Sequence, residues 1–141
     1  MQIRDIMSKE VRYMKPDTTV EDAAIRMKEY GIGAIPVTRD GDVAGILTDR
    51  DIVLRAVAEF KTPKDTPVKE IMSSDKIYDC KDTESLKEAA EIMENNQVRR
   101  LVVKDDSGNF VGLISVGDLV LSGDKELAAE TIREISKPAA E

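Results

Sequence analysis

The chain contains no histidine and only one cysteine, Cys80. Without histidine the commonest general base is missing, so Ser-His and Cys-His nucleophilic chemistry is unavailable, and a zinc site would have to be built from carboxylates around one thiolate. A lone cysteine excludes an intramolecular disulfide and reads as a small buried filler. Positive charge is also in short supply: 21 Lys and Arg against 28 Asp and Glu leave a formal charge of −7. That balance argues against duplex nucleic acid or an anionic membrane as the main partner, because phosphate-backbone affinity comes from clustered cations. The first seven residues, Met1–Met7, carry Arg4 and Asp5 among their apolar positions. This is too charged for a signal-peptide core, and a cytoplasmic protein is expected. No catalytic residue and no metal ligand is assigned.

What is present is a globular composition, 41% apolar and 35% charged over 141 residues, enough for a core without staples. The chain is also duplicated, at a spacing that drifts from about 65 to 67 residues. Ile6-Met7-Ser8 returns as Ile71-Met72-Ser73. Val20, Ala23, Ala24 and Met27 return as Leu86, Ala89, Ala90 and Met93, each set an apolar stripe at helical spacing. Gly41, Gly45 and Asp51 return as Gly108, Gly112 and Asp118. Each repeat reads as a short helix ending at Ile-Met-Ser, an extended stretch (Glu10–Tyr13 or Lys76–Cys80), a helix, two strands and a second helix. The strand pairs are Ala34–Val37 with Val43–Leu47, joined by a strong Asp-Gly hairpin signal, and Leu101–Lys104 with Phe110–Ile114. The expected fold is α+β (mixed α/β), two β-α-β-β-α repeats over residues 1–61 and 68–121, with a two-proline linker at 62–67. A helical tail over 122–141 has Leu127, Ala128, Ile132 and Ile135 apolar and stops before Pro138.

The densest constellation is Gly45-Ile46-Leu47-Thr48-Asp49-Arg50-Asp51, repeated as Gly112-Leu113-Ile114-Ser115-Val116-Gly117-Asp118. A Ser or Thr followed three residues later by an acid is close to a capping box, worth about 1 kcal/mol. The same junction turns backbone N–H groups and a hydroxyl toward solvent, which suits a phosphate, while the carboxylate suits a ribose diol. One residue can cap and bind. The duplicated pattern, the paired glycine-to-aspartate motif and the string Val98-Arg99-Arg100-Leu101-Val102-Val103 resemble a tandem pair of cystathionine β-synthase (CBS) domains, a Bateman module, over roughly residues 1–121.

That resemblance implies two pseudo-twofold-related repeats packed through their sheets and a non-enzymatic sensing role. It implies adenine nucleotides (AMP, ADP or ATP, and in some members S-adenosylmethionine) held non-covalently in clefts between the repeats. By the same resemblance Asp118 and Asp51 take ribose hydroxyls, and Ser115 and Thr48 lie near ribose and phosphate. The base lies against Val11–Tyr13 or Ile77–Cys80, with Val11, Ile77 and Tyr78 the chosen contacts. The basic pair Arg99-Arg100 holds phosphates, although by itself it also reads as a solvated turn. Repeat 1 has Gly33-Ala34 there, which Arg50 compensates only in part, so the two sites should be unequal and the repeat 2 site tighter. A stand-alone pair of this kind is expected to act as a homodimer, a four-domain disc, on an effector protein not identified by the sequence. The competing expectation is a structural or interaction dimer whose motifs survive only as helix caps.

Overall fold

The computed structural model describes residues 1–138; the last three residues of the expected tail lie outside the described residues. Helices and strands form two compact units that divide the chain differently from its sequence repeats. One is Val11–Ile77, continuous in sequence. The other joins Met1–Glu10 to the chain from Tyr78 onward. Each unit therefore takes its Ile-Met-Ser segment from the opposite repeat.

In the continuous unit, helix α1 (Val20–Tyr30) begins at Thr19, whose hydroxyl accepts from Asp22 N at 3.1 Å, and ends on Gly31 at φ +63°. Strands β1 (Ala34–Arg39) and β2 (Asp42–Thr48) form an antiparallel hairpin. Its two-residue turn, Asp40 and Gly41, has positive φ at both positions, the primed geometry that matches strand twist. The expected stretch Glu10–Tyr13 forms no strand; the one parallel bridge there follows it, between Met14 and Val37. Helix α2 (Asp49–Asp51) follows β2 directly and widens into a π-helical turn over Ile52–Val57. Val20, Ala23 and Met27 pack on Ile35, Val37, Leu47, Val68 and Ile71.

The second unit repeats this plan more fully. Strand β3 (Asp79–Lys81) runs parallel to β4 (Arg100–Lys104), which pairs antiparallel with β5 (Phe110–Ser115). Of the stretch expected at Lys76–Cys80, only Asp79 and Cys80 are in that strand. Helix α3 (Leu86–Asn96) starts with a Ser85–Glu88 capping box, and helix α4 (Val116–Leu121) follows β5 without a loop. Helix α5 (Lys125–Ile135) packs on α3 and α4 through Ala128 and the fully buried Thr131. The Thr131 hydroxyl lies 2.7 Å from Leu127 O and 3.2 Å from Glu94 Oε1. The expected symmetry of the helical stripes fails at one place: Ala90 is buried but Ala24 is exposed. The continuous unit has no helix equivalent to α5 to cover that side of α1.

Both units hold their borrowed segment the same way. Ser73 exchanges backbone hydrogen bonds with Ile46 (2.9 and 3.0 Å), and Ser8 with Leu113 (2.9 and 3.2 Å). The glycine before each bridge has no room for a side chain. A Cβ on Gly45 would come within 2.5 Å of Met72 Sδ, and one on Gly112 within 2.5 Å of Ser8 O.

Candidate functional site

The two glycine-to-aspartate motifs sit where β2 meets α2 and where β5 meets α4, and both are full capping boxes. Ser115 N donates to Asp118 Oδ2 at 2.8 Å, and Asp118 N donates to Ser115 Oγ at 3.2 Å. Thr48 N donates to Asp51 Oδ2 at 2.9 Å, and Asp51 N to Thr48 Oγ1 at 3.1 Å. Thr or Ser is needed because its hydroxyl reaches the third amide of the helix, and Asp because its carboxylate reaches back to the cap.

Beyond this shared frame the junctions differ. Asp118 is half-buried, its Oδ2 also accepts from Ser115 Oγ at 3.2 Å, and its Oδ1 has no partner among the described residues. The Gly117 N–H is likewise unpaired there, while Val116 N donates to Arg99 O at 2.9 Å. The strand register puts Arg100 directly opposite Ser115, so the basic pair enters β4 beside the cap. Arg100 is half-buried and Arg99 exposed. Two paired stretches of backbone thus gather two cations, a hydroxyl and a carboxylate oxygen free to accept. Tyr78, half-buried against the core of this unit, accepts from Val102 N through its carbonyl at 3.0 Å, two residues along β4 from Arg100.

At the other junction both carboxylate oxygens and the first two helical amides have partners. Asp51 is buried, 7% exposed; its Oδ1 accepts from Ser73 Oγ at 3.1 Å and lies 3.7 Å from Arg55 Nη1. The amides that the sequence pattern leaves pointing at solvent are taken, Asp49 N by Gly33 O and Arg50 N by the Asp49 carboxylate, both at 2.9 Å. Solvent-facing N–H groups, expected at both junctions, are therefore found at Gly117 and not at Asp49 or Arg50. Where repeat 2 carries Arg99, repeat 1 has Gly33, and a Cβ there would meet Asp49 Oδ2 at 2.8 Å. An acidic side chain thus crowds the position that carries Arg99 in repeat 2. Arg50 is exposed on the first turn of α2.

Val11 and Ile77 are half-buried at the two ends of the continuous unit, and Tyr13 is exposed. The Tyr30 ring is covered by the Arg12 guanidinium, 3.5 Å from its centroid. Cys80 is buried on β3; loss of solvation, with Glu84 and Asp79 nearby, pushes its thiol up to about 12, which makes it inert. A cavity of about 440 Å³ lies away from both junctions, at the hairpin turn, lined by Lys15, Asp17, Arg39, Asp40 and Lys69 among others. It contains none of the ligand-binding residues expected from the sequence. Two groups that motif reading missed are Ser73 and Arg55. Arg55 stands four residues after Asp51, the spacing of a helical ion pair, and its counterpart in repeat 2 is Ser122. Among the described residues no group of three His, Cys, Asp or Glu is placed to hold a metal ion, and no helix is long and apolar enough to cross a membrane.

Comparison with known proteins fits this duplicated architecture. The family model of the CBS domain matches twice, over residues 3–57 and 68–123. The CBS domain-containing protein YhcV of Bacillus subtilis is 37% identical over 135 residues, covering 95% of this chain and 94% of its own. Among solved structures, the CBS domain protein TA0289 of Thermoplasma acidophilum superposes with a TM-score of 0.81 at 27% identity, over 95% of this chain and 75% of its own. The CBS domain pair of the protein MJ0100, solved in complex with 5′-methylthioadenosine and S-adenosyl-L-methionine, has a TM-score of 0.75 at 24% identity, over 89% of this chain and 98% of its own. Two matched segments, each with the same cap at the same strand-to-helix junction, place this chain in the CBS domain family as a tandem CBS pair.

Proposed function

We propose that the protein is a non-enzymatic regulatory module of the cytoplasm that binds an adenine nucleotide, AMP, ADP or ATP, chiefly at the β5–α4 junction. The observation that carries the reading is Asp118. Its carboxylate is held in place by Ser115, yet keeps one oxygen free to accept ribose hydroxyls. Arg100 on the paired strand and Arg99 beside it take the phosphates, where a planar guanidinium can engage two oxygens at once. Ser115 and the Gly117 amide add donors, and Tyr78, whose carbonyl accepts from Val102 N on β4, contacts the base. The second junction, with Asp51, Thr48, Arg50 and Val11, binds more weakly, because its carboxylate and amides are already engaged. S-adenosylmethionine is a further candidate ligand. Occupancy is transmitted by favouring one conformation over another, so a partner protein reads the change.

A homodimer agrees with the surface. Exposed apolar side chains recur at matching positions of the second helix of each repeat, Val53 and Leu54 in one and Val120 and Leu121 in the other, with Phe60 95% exposed nearby in sequence. The capping boxes favour one other reading, a structural dimer whose motifs serve only as caps. Thermal unfolding separates the two. A nucleotide at a hundred times its Kd stabilises the fold by about 2.7 kcal/mol, which raises Tm by roughly 5–11 °C. Asp118→Asn keeps the cap's acceptor but removes the charge, so the shift should collapse while the unliganded Tm changes little. Arg99→Ala with Arg100→Ala should weaken AMP and ATP more than adenosine. No shift with any nucleotide rejects binding.

A further inference from the structure

Arg55 is replaced by Ser122 in repeat 2, and its guanidinium lies at the more deeply buried of the two motif carboxylates. Its Nη1 donates to Ile71 O at 3.1 Å and Met72 O at 3.3 Å, lies 3.4 Å from Ser73 Oγ, and stands 3.7 Å from Asp51 Oδ1. Ser73 Oγ donates to the same Oδ1 at 3.1 Å. One cation therefore ties the Ile71–Ser73 segment down over Asp51, whose side chain is left 9% exposed. In the other unit the corresponding serine, Ser8, is exposed and makes no side-chain hydrogen bond to Asp118. Ser122, at the position of Arg55, turns its hydroxyl inward onto Leu119 O at 2.6 Å. The side chain that differs is thus the one that decides whether the carboxylate is open.

We infer that Arg55 is an internal cationic plug that closes the Asp51 site and limits the protein to one nucleoside per chain. A ribose diol must donate two hydroxyls to a carboxylate. Asp51 is buried, with Ser73 Oγ and the Arg55 guanidinium lying over its Oδ1, so a diol reaches that oxygen only if they withdraw, whereas Asp118 Oδ1 stands open. The inference rests on the reading that these junctions bind nucleosides, and it adds which of the two fills and why. It also predicts how to interchange them, since Arg55→Ser copies repeat 2 into repeat 1 and Ser122→Arg does the reverse.

The test is titration calorimetry of the full chain with adenosine and with AMP. Wild type should bind one ligand per chain. Arg55→Ser should bind two, the second at least tenfold tighter than any second binding in wild type, and it should survive in Arg55→Ser with Asp118→Asn. Ser122→Arg should weaken the Asp118 site tenfold or more. Circular dichroism checks folding; should Arg55→Ser unfold, Arg55→Met keeps the aliphatic stem without the donors and serves in its place. Two sites of similar affinity in wild type, or one site in a folded Arg55 variant, overturn the plug while leaving nucleotide binding intact. No binding by wild type or by the Arg55 variants rejects the nucleotide reading itself, and the plug with it.

Discussion

Replacing Gly112 by alanine tests how the segment from Met1 to Glu10 is held. The new methyl would stand 2.5 Å from Ser8 O, against the 3.4 Å at which ordinary contact begins, so β5 or the segment must move by about 0.9 Å. The obstacle is backbone, and no rotamer change relieves it. Overpacking of this kind costs about 1–3 kcal/mol where the surroundings relax. If the segment lets go instead, the two backbone bonds between Ser8 and Leu113 are lost and Ile3, fully buried, comes out. With roughly 0.5–1.5 kcal/mol per bond and about 1.5–3 kcal/mol for the isoleucine, that sets a ceiling near 6 kcal/mol. Urea unfolding should therefore show Gly112→Ala less stable by about 1–3 kcal/mol, with Tm lower by roughly 2–12 °C. Gly45→Ala should cost less, because its nearest neighbours are the Sδ and Cγ of Met72, an unbranched side chain that can swing aside. In a chain lacking residues 1–8, the Gly112 substitution should cost almost nothing. An equal cost with and without those residues, or a full-length Gly112→Ala within about 0.5 kcal/mol of wild type, would refute the close approach.

Native Cys80 should resist alkylation at pH 8 and react only on unfolding. Its folded thiol titrates near 12 against 9.0 unfolded, so above pH 9 the unfolded chain gives up a proton the native one keeps. Wild type should then lose about 1.4 kcal/mol at pH 10 relative to Cys80→Ala; urea titrations at pH 8 and 10 that give the same difference would contradict the burial. Ala128→Glu places a charge at a site 4% exposed between α5 and its neighbours and should cost about 3 kcal/mol or more, read as faster amide exchange in α3 and α5.

Much of this fold is legible in the chain because its signals are local. Asp40-Gly41 specifies the turn through backbone conformation, Thr48 with Asp51 and Ser115 with Asp118 specify helix starts, and the 3.6-residue stripes specify α1, α3 and α5. The register that sets Arg100 against Ser115 follows from the hairpin once its ends are known. What the chain does not announce is long-range partnership. Ile6-Met7-Ser8 and Ile71-Met72-Ser73 have the same pattern, and nothing in an apolar triplet says which β-hairpin it joins. The site is legible as far as the motif extends. Asp118 and Asp51 look alike in sequence, and their different fates depend on Arg55, one helical turn beyond the pattern, and on Ser73, which lies 22 residues beyond it, where only geometry connects them.

The borrowing of those leading segments has a consequence in time. A ribosome adding about 5–20 residues per second completes Val11–Ile77 as a continuous stretch, and that unit has every residue it needs as soon as Ile77 is clear of the exit tunnel. Ile3 belongs with Leu101, Ile114 and Leu119, made more than a hundred residues' worth of chain after it in the last two cases. Its partners arrive roughly 5–20 s later at those rates. During that interval the Met1–Glu10 segment has no place to settle, and the β5–α4 junction is completed only when that segment returns to lie beside Leu113.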